Sequence, residues 1–234
     1  MTSRVSTLKF RVITLMKNLS TRTTALFTDC TRDKLLKNSL ELFNRKGFAS
    51  VTTSLLASSS KVREGTLWYH FKSKKSLVES HMELFKNNID VELDMMGKID
   101  LEILIKQLLS QYYFNWDFRY LFRDNLADNL SSDRSITNKL NELTQLRFNK
   151  IKEEALIGRD QGVFDFKENE LDELSEIIFL VADNWFALSS KKYPDKDENF
   201  LMQRGMGLLI KVSEPYLSKE SKLIIRNLHG GVLT

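Results

Sequence analysis

Two prolines and nine glycines in 234 residues are too few for a β-rich chain, whose hairpins and turns consume both residue types. The sequence is free to run in long helices, and its apolar residues recur at helical spacing. Hydrophobic residues make up 42% and charged residues 28%, the balance of a soluble globular protein. The length suits one large or two small domains with a core that needs neither disulfide nor metal. Cys30 is the single cysteine, so no internal disulfide and no cysteine zinc cluster can form, and a reducing cytosol is the expected compartment.

Helical periodicity begins at Thr31, a plausible N-cap, and Leu36, Leu40 and Phe43 then follow on one face, widened by Leu35 and Leu42. Gly47 after Arg45 and Lys46 closes a first helix of about Arg32 to Lys46. Thr52 and Thr53 before Leu55 and Leu56 open a short second helix. Arg63 to Phe71 form a third, polar and aromatic. With Ser73 as its cap, a fourth runs from about Lys74 to Met95. Beyond Asp100 the chain carries an aromatic cluster from Tyr112 to Phe122. A helix follows from Ser131 or Ser132 to near Gly162, with Ile136, Leu140, Leu143 and Leu146 on one face. Another bears a seam of Leu171, Leu174, Ile178, Val181, Trp185 and Leu188, the +3/+4 alternation of a helix packed lengthwise on partners. Pro194 breaks it, and a last long helix spans about Glu198 to Val212, with Gly205 permitting close helix approach.

Charge divides the chain. Residues 1–30 carry a net +4, residues 31–86 a net +6 and residues 87–234 a net −6. A basic front and an acidic rear point to a polyanion met by the front alone; solvated faces of varying composition are the plain alternative. No apolar run is long enough to cross a bilayer. Residues 1–30 are rich in Arg, Lys, Ser and Thr. They are expected to be a disordered basic arm or residues upstream of the true start, with Met16 as an alternative, although their composition also passes for a transit peptide.

Three short helices, the third polar and aromatic, describe a helix-turn-helix: one helix must enter the major groove, and its neighbours must lock it with inward residues such as Leu56, Val62 and Leu67. The run Thr31-Arg32-Asp33-Lys34-Leu35-Leu36, then Leu40-Glu41-Leu42-Phe43-Asn44 and Gly47-Phe48, resembles the first helix of TetR-family regulators. Val51-Thr52-Thr53 with Leu56-Ala57 is similar to that family's second helix. Val62 with Gly65-Thr66-Leu67-Trp68-Tyr69-His70-Phe71 is similar to its recognition helix, and Lys74 with Leu77 to the start of its fourth. Phe118 to Asp124, Gly205 and Pro215-Tyr216-Leu217 continue the likeness more loosely.

The resemblance implies an all-α protein. A helix-turn-helix domain over 31–77 would precede a larger helical ligand-binding and dimerisation domain over 78–217, with 1–30 as the arm and 218–234 as a tail. It implies a homodimeric repressor of a double-stranded DNA operator, released by a small apolar or amphipathic effector, with no cofactor, metal or membrane. Carried over residue by residue, the DNA-contact candidates are Thr52, Thr53, Arg63, Thr66, Trp68, Tyr69, His70 and Lys74; Glu64, a carboxylate where many relatives are neutral or basic, is added to them as an acceptor from cytosine, with simple pairing to Lys61 as the alternative. Thr52 could equally be only a cap, Trp68 a core residue and His70 a spacer. Where the family often has glycine in the turn before the third helix, this chain has Lys61, for which a left-handed conformation is costly.

For the effector, the aromatic cluster and its polar neighbours give Tyr113, Phe114, Phe118, Arg119, Phe122, Arg123, Asn184 and Trp185 as candidates, with ordinary core as the competing reading. The seam and Gly205 are expected to serve the dimer. A helical adaptor or small-molecule-binding protein without DNA binding would explain the seam but not the basic front. An enzyme finds no motif: His70, His81 and His229 show no metal-ligand spacing, and there is no phosphate loop or nucleophile elbow.

Overall fold

The computed structural model describes residues 19–89, 100–123, 126, 130 and 134–229. Among them the chain is helical, and the β structure is one isolated antiparallel bridge, Phe164 to Leu217. After a single helical turn, Thr21–Thr24, come α1 (Thr31–Lys46), α2 (Thr53–Ser59), α3 (Glu64–His70) and α4 (Lys74–Asn88). Then follow α5 (Leu101–Asp117), a 3₁₀ turn (Arg119–Phe122), α6 (Arg134–Asp160), α7 (Leu171–Lys192), α8 (Glu198–Ser213) and α9 (Lys219–His229).

Local chemistry sets the boundaries. The Thr52 hydroxyl accepts from the Leu55 amide at 3.1 Å, and Ser73 from Ser76 at 3.1 Å, each satisfying an orphan N–H of a first turn. Asp100 and Asp197 do the same for α5 and α8. The cap of α1 is Cys30, one residue before the expected Thr31; its sulfur accepts from the Asp33 amide. Asp33 is itself engaged by Thr28, whose backbone N–H and hydroxyl donate to it at 2.9 and 2.7 Å. The expected continuation of the fourth helix beyond Ile89, and the start of the next at Ser131 or Ser132, lie outside the described residues.

Two apolar cores share α5. The first gathers α1 to α4 with Phe114, Phe118, Tyr120 and Leu121, then Ile136, Leu140 and Leu143 of α6. The second gathers Leu104, Ile105, Tyr112 and Trp116 with Trp185, Phe186, Met202, Met206 and Ile225 of α7 to α9. Phe122 touches both. Apolar burial therefore does not stop at residue 77: the helix-turn-helix is completed by side chains from α5 and α6.

The two ends of the described chain differ from expectation. Leu19, Ser20 and Thr23, assigned to a disordered arm, are buried. The Ser20 amide donates to Asp117 Oδ2 at 2.9 Å. Arg22 donates to Gln111 Oε1 at 2.7 Å and to the Asn88 carbonyl at 2.5 Å, with its guanidinium 4.2 Å from the centre of the Phe114 ring. Local composition cannot reveal this, because the partners that bury these residues, Asn88, Gln111 and Asp117, lie at least 66 residues away. Residues 218–234, expected as a tail, contribute α9, whose Ser221 and Ile225 are buried. Residues 1–18 lie outside the described residues.

Candidate nucleic-acid interface and effector cavity

The turn between α2 and α3 decides how α3 is presented. The Val62 amide donates to the Ala57 carbonyl at 3.0 Å and Lys61 to Ser58 at 3.1 Å, the paired bonds of a Schellman ending. That geometry needs a left-handed residue at position 61, and Lys61 adopts it with φ of 56°. Among the described residues it is the one non-glycine with positive φ. The Asn38 side chain on α1 holds the same turn, donating to the hydroxyls of Ser59 and Ser60 at 2.7 Å each.

The α3 helix that follows buries Leu67 and sends the rest of its surface outward. Arg63, Glu64, Trp68 and Tyr69 are exposed, Trp68 at 41% and Tyr69 at 83%. Tyr69 lies edge-on to His70. Of the competing readings for Trp68, core residue is therefore the weaker. Thr66 and His70 are half-buried. Thr52 is exposed and caps α2; Thr53 is half-buried in its first turn.

Lys74 has a role the sequence did not suggest. Its ammonium donates to the Phe48 carbonyl at 2.7 Å and lies 4.2 Å from the centre of the Phe48 ring. Desolvation lowers its pKa. Lys74 thus ties the start of α4 to the loop after α1, with donor capacity left for other acceptors.

The helix-turn-helix is joined to the rest through polar contacts around the end of α5. His81 on α4 is fully buried. Its Nε2 lies 2.9 Å from the Leu36 carbonyl, and its Nδ1 2.7 Å from the Tyr120 hydroxyl. The carbonyl can only accept, so Nε2 carries the proton and Tyr120 donates to Nδ1. Burial pushes the imidazole pKa down to about 4. Asn44 on α1 donates to the Asp117 carbonyl at 2.6 Å and accepts from the Tyr120 amide at 3.1 Å. Arg123 donates to the Asn44 carbonyl.

A cavity lies elsewhere, among α5 to α9. One lobe, about 140 Å³, is lined by apolar side chains including Ile105, Leu109, Val163, Phe164, Met206 and Ile210. A second, about 110 Å³, is lined by Gln111, Asn115, Arg147, Lys150 and Ala182 among others. The lobes share Leu108, Tyr112, Ile151, Glu154, Ile178 and Leu209. Arg147 is buried under the rings of Phe122 and Phe186, and donates through Nε to Asn115 at 3.1 Å and through Nη1 to Asp183 at 2.6 Å.

The sequence-level effector candidates do not line either lobe. Phe114 and Phe118 are core residues, the first stacked on the Phe85 ring and the second edge-on to it. Phe122 and half-buried Tyr113 pack beside the cores. Arg119 pairs with Glu198 at 3.0 Å, which offsets the desolvation that lowers its pKa to about 10. Arg123 is turned to α1. Asn184 is exposed and bonds within its own helix, to the Leu180 carbonyl. Trp185 is buried, donating to the Leu201 carbonyl at 2.8 Å. The physical reason is helical phase: Tyr112 meets the cavity, while Phe114 and Phe118 turn toward the first core. The lining charges had a legible signal. Leu140, Leu143, Arg147, Lys150 and Glu154 continue one +3/+4 stripe, so the charges sit where apolar residues belong.

The family model described as "Bacterial transcriptional repressor" matches residues 84–223, well over half of the chain, and that described as "Bacterial regulatory proteins, tetR family" matches residues 35–80. The chain belongs to the TetR family. It is 36% identical over 86 residues to the uncharacterized HTH-type transcriptional regulator YerO of Bacillus subtilis, a match covering 35% of this chain and 30% of YerO. It is 30% identical over 87 residues to IcaR, the HTH-type negative transcriptional regulator of the biofilm operon icaADBC in Staphylococcus aureus, covering 36% of this chain and 46% of IcaR. The matches thus span less than half the length of either curated relative. A TetR-family transcriptional regulator from Marinobacter aquaeolei has the same architecture, with a TM-score of 0.67 and 26% identity over 86% of this chain and 98% of that one.

In this TetR-family chain the expected dimer seam is divided. Leu174 and Trp185 are buried within the protomer, and a Cβ on Gly205 would collide with the Tyr112 hydroxyl and the Trp185 ring. Gly205 therefore serves packing of α8 against α5 and α7. The apolar side chains α7 leaves exposed are Leu180 and Leu188. Among the described residues no helix is long and apolar enough to cross a membrane, and no metal-binding group occurs.

Proposed function

We propose that this chain is a sequence-specific DNA-binding repressor that acts as a homodimer and leaves its operator when a small effector enters the cavity. The observation that carries the reading is the outward face of α3: an exposed Trp68 and Tyr69 beside Arg63 and Glu64, on a short helix anchored by buried Leu67. A helix that displays aromatic and charged groups while its neighbours fix its pose has the form needed to read a major groove. Thr52, Thr53, Thr66, His70 and Lys74 border that face, and the first two and Lys74 fit contacts to phosphate rather than to bases. Half-sites on one side of DNA repeat at ~34–36 Å, so a change of a few ångströms between two α3 helices weakens the complex. The contacts of Asn44, His81 and Arg22 with α5 and the turn after it supply a path from cavity to α1 and α4. For the dimer, the exposed Leu180 and Leu188 on α7 are the surface we assign.

The test is an affinity series on the chain's own upstream DNA and on a random duplex across salt. Tyr69→Ala and Trp68→Ala are expected to weaken the operator by roughly 1–3 kcal/mol per lost base contact and to leave random DNA nearly unchanged. Equal loss on both duplexes would make these residues structural, and no binding to any upstream fragment would defeat the reading.

A further inference from the structure

The second lobe of the cavity lies between the end of α4, which contributes Ile89, and α5, which contributes Gln111, both buried. One guanidinium outside the lining joins the two helices. Arg22 donates through Nη1 to Gln111 Oε1 at 2.7 Å, and through Nη2 to the carbonyls of Asn88 at 2.5 Å and Ile89 at 3.4 Å. Carbonyls at a helix end lack intrahelical donors and favour a cation, and a planar guanidinium meets acceptors on two elements at once. The two sides of this staple are anchored differently. On α5, Asn115 donates to the Gln111 carbonyl at 2.8 Å and accepts from Arg147 Nε at 3.1 Å, and Arg147 is paired with Asp183 on α7 at 2.6 Å. That chain of bonds ties α5 to α6 and α7. On the other side, α4 is bonded into the helix-turn-helix, through His81 to the Leu36 carbonyl and through Lys74 to the Phe48 carbonyl. Widening the lobe therefore displaces α4, and with it α1, whose Asn38 holds the turn that presents α3.

Resting on the reading of this cavity as the effector site, we propose that Arg22 is the positioning residue that couples it to the operator. Closed, the staple holds α4 at the spacing the operator needs; an occupant of the second lobe weakens the operator by forcing the staple open. The lobe is about 110 Å³, well below the ~300–1,000 Å³ of sites for drug-sized ligands. An occupant larger than a few waters, at ~30 Å³ each, must part Ile89 from Gln111. A separation of ~1 Å takes the bonds on one side past hydrogen-bonding range. Such an occupant binds the open form better than the closed one, which is what a ligand needs in order to shift an equilibrium.

The test fills the lobe with a side chain. Ala182 lines the second lobe and not the first. Ala182→Phe is made in the full chain, alone and with Arg22→Met, and affinity is read on the upstream DNA that the unaltered chain binds and on a random duplex. Each single variant is expected to weaken the upstream site by about tenfold, inside the ~5–150-fold range of coupled sites. The random duplex should stay within about twofold, because phosphate contacts carry that binding. Together the two should cost little more than either alone, the non-additivity of one shared element. Gln111→Leu cuts the staple from α5, should reproduce Arg22→Met, and replaces it if that variant does not fold; Ala182→Leu likewise stands in for the larger ring. Unchanged upstream affinity in Arg22→Met, equal losses on both duplexes, or additive losses in the double variant would each overturn the staple and leave the cavity reading in place. A folded Ala182→Phe that binds the upstream site as before would remove the cavity reading too.

Discussion

Replacing His81 with glutamine should change how stability depends on pH, by an amount fixed by the burial of the imidazole. The ring lies between the Leu36 carbonyl, the Ser39 hydroxyl and the Tyr120 hydroxyl, against the Phe43 ring. No carboxylate is among these neighbours to stabilise a proton. Its pKa falls from the ordinary 6.5 to about 4. As pH drops through 6.5 the unfolded chain takes up a proton that the folded chain refuses. The stability fully present above pH 6.5 is therefore lost between 6.5 and 4, at about 1.4 kcal/mol per pH unit, and levels off below. The whole contribution is about 3 kcal/mol, of which about 2 kcal/mol is gone by pH 5. Glutamine keeps an amide donor for the Leu36 carbonyl but cannot titrate. Urea unfolding of both proteins at pH 7, 6 and 5 gives the measured quantity, the stability difference between them. Asp117, whose pKa burial raises, and the other carboxylates and histidines are common to both and cancel. The difference should shrink by about 2 kcal/mol from pH 7 to pH 5. A difference that stays constant would refute a buried neutral imidazole.

Three further outcomes are expected. Lys61→Gly relieves a left-handed lysine at about 1–2 kcal/mol, set against about 0.5–1 kcal/mol for the freer unfolded glycine, so equilibrium unfolding should show a small net gain; Lys61→Val should be clearly destabilising. Gly205→Ala forces a methyl against Tyr112 and Trp185, both anchored by hydrogen bonds to backbone carbonyls of α8, and should cost about 1–3 kcal/mol in thermal or urea denaturation. Leu180→Glu with Leu188→Glu should shift sedimentation from dimer to monomer without lowering the helical content; a dimer that persists would move the interface off α7.

Much of this architecture was legible because it is local. The caps Thr52 and Ser73, the stop at Gly47 and the break at Pro194 follow from chemistry within four residues of each boundary. The absence of glycine at position 61 foretold a costly turn, and the turn is left-handed. What was hidden depends on which face of a helix meets which distant partner. A run of seven aromatics on and after α5 reads as a pocket, yet successive residues are rotated by about 100°, so neighbours such as Tyr112 and Phe114 serve different surfaces. The spacing of the seam places Trp185 on an interface, but the same spacing suits the neighbouring helix of its own protomer. Arg22 gave no local signal, because its meaning lies in Asn88 and Gln111.

The first core has a practical bearing on how such proteins diversify. Phe114, Phe118, Tyr120, Ile136, Leu140 and Leu143 complete the hydrophobic interior that begins in α1 to α4. A chimera joined near residue 77, exchanging only α1 to α3, would set a foreign surface against these six side chains and open voids or clashes worth several kcal/mol. Joined instead after Leu143, so that α1 to α4 travel with α5 and the start of α6, the same graft keeps its own interior but divides the cavity between two parents. Recombination is therefore penalised at either seam, whereas point changes on the exposed face of α3, at Tyr69 above all, leave both cores intact.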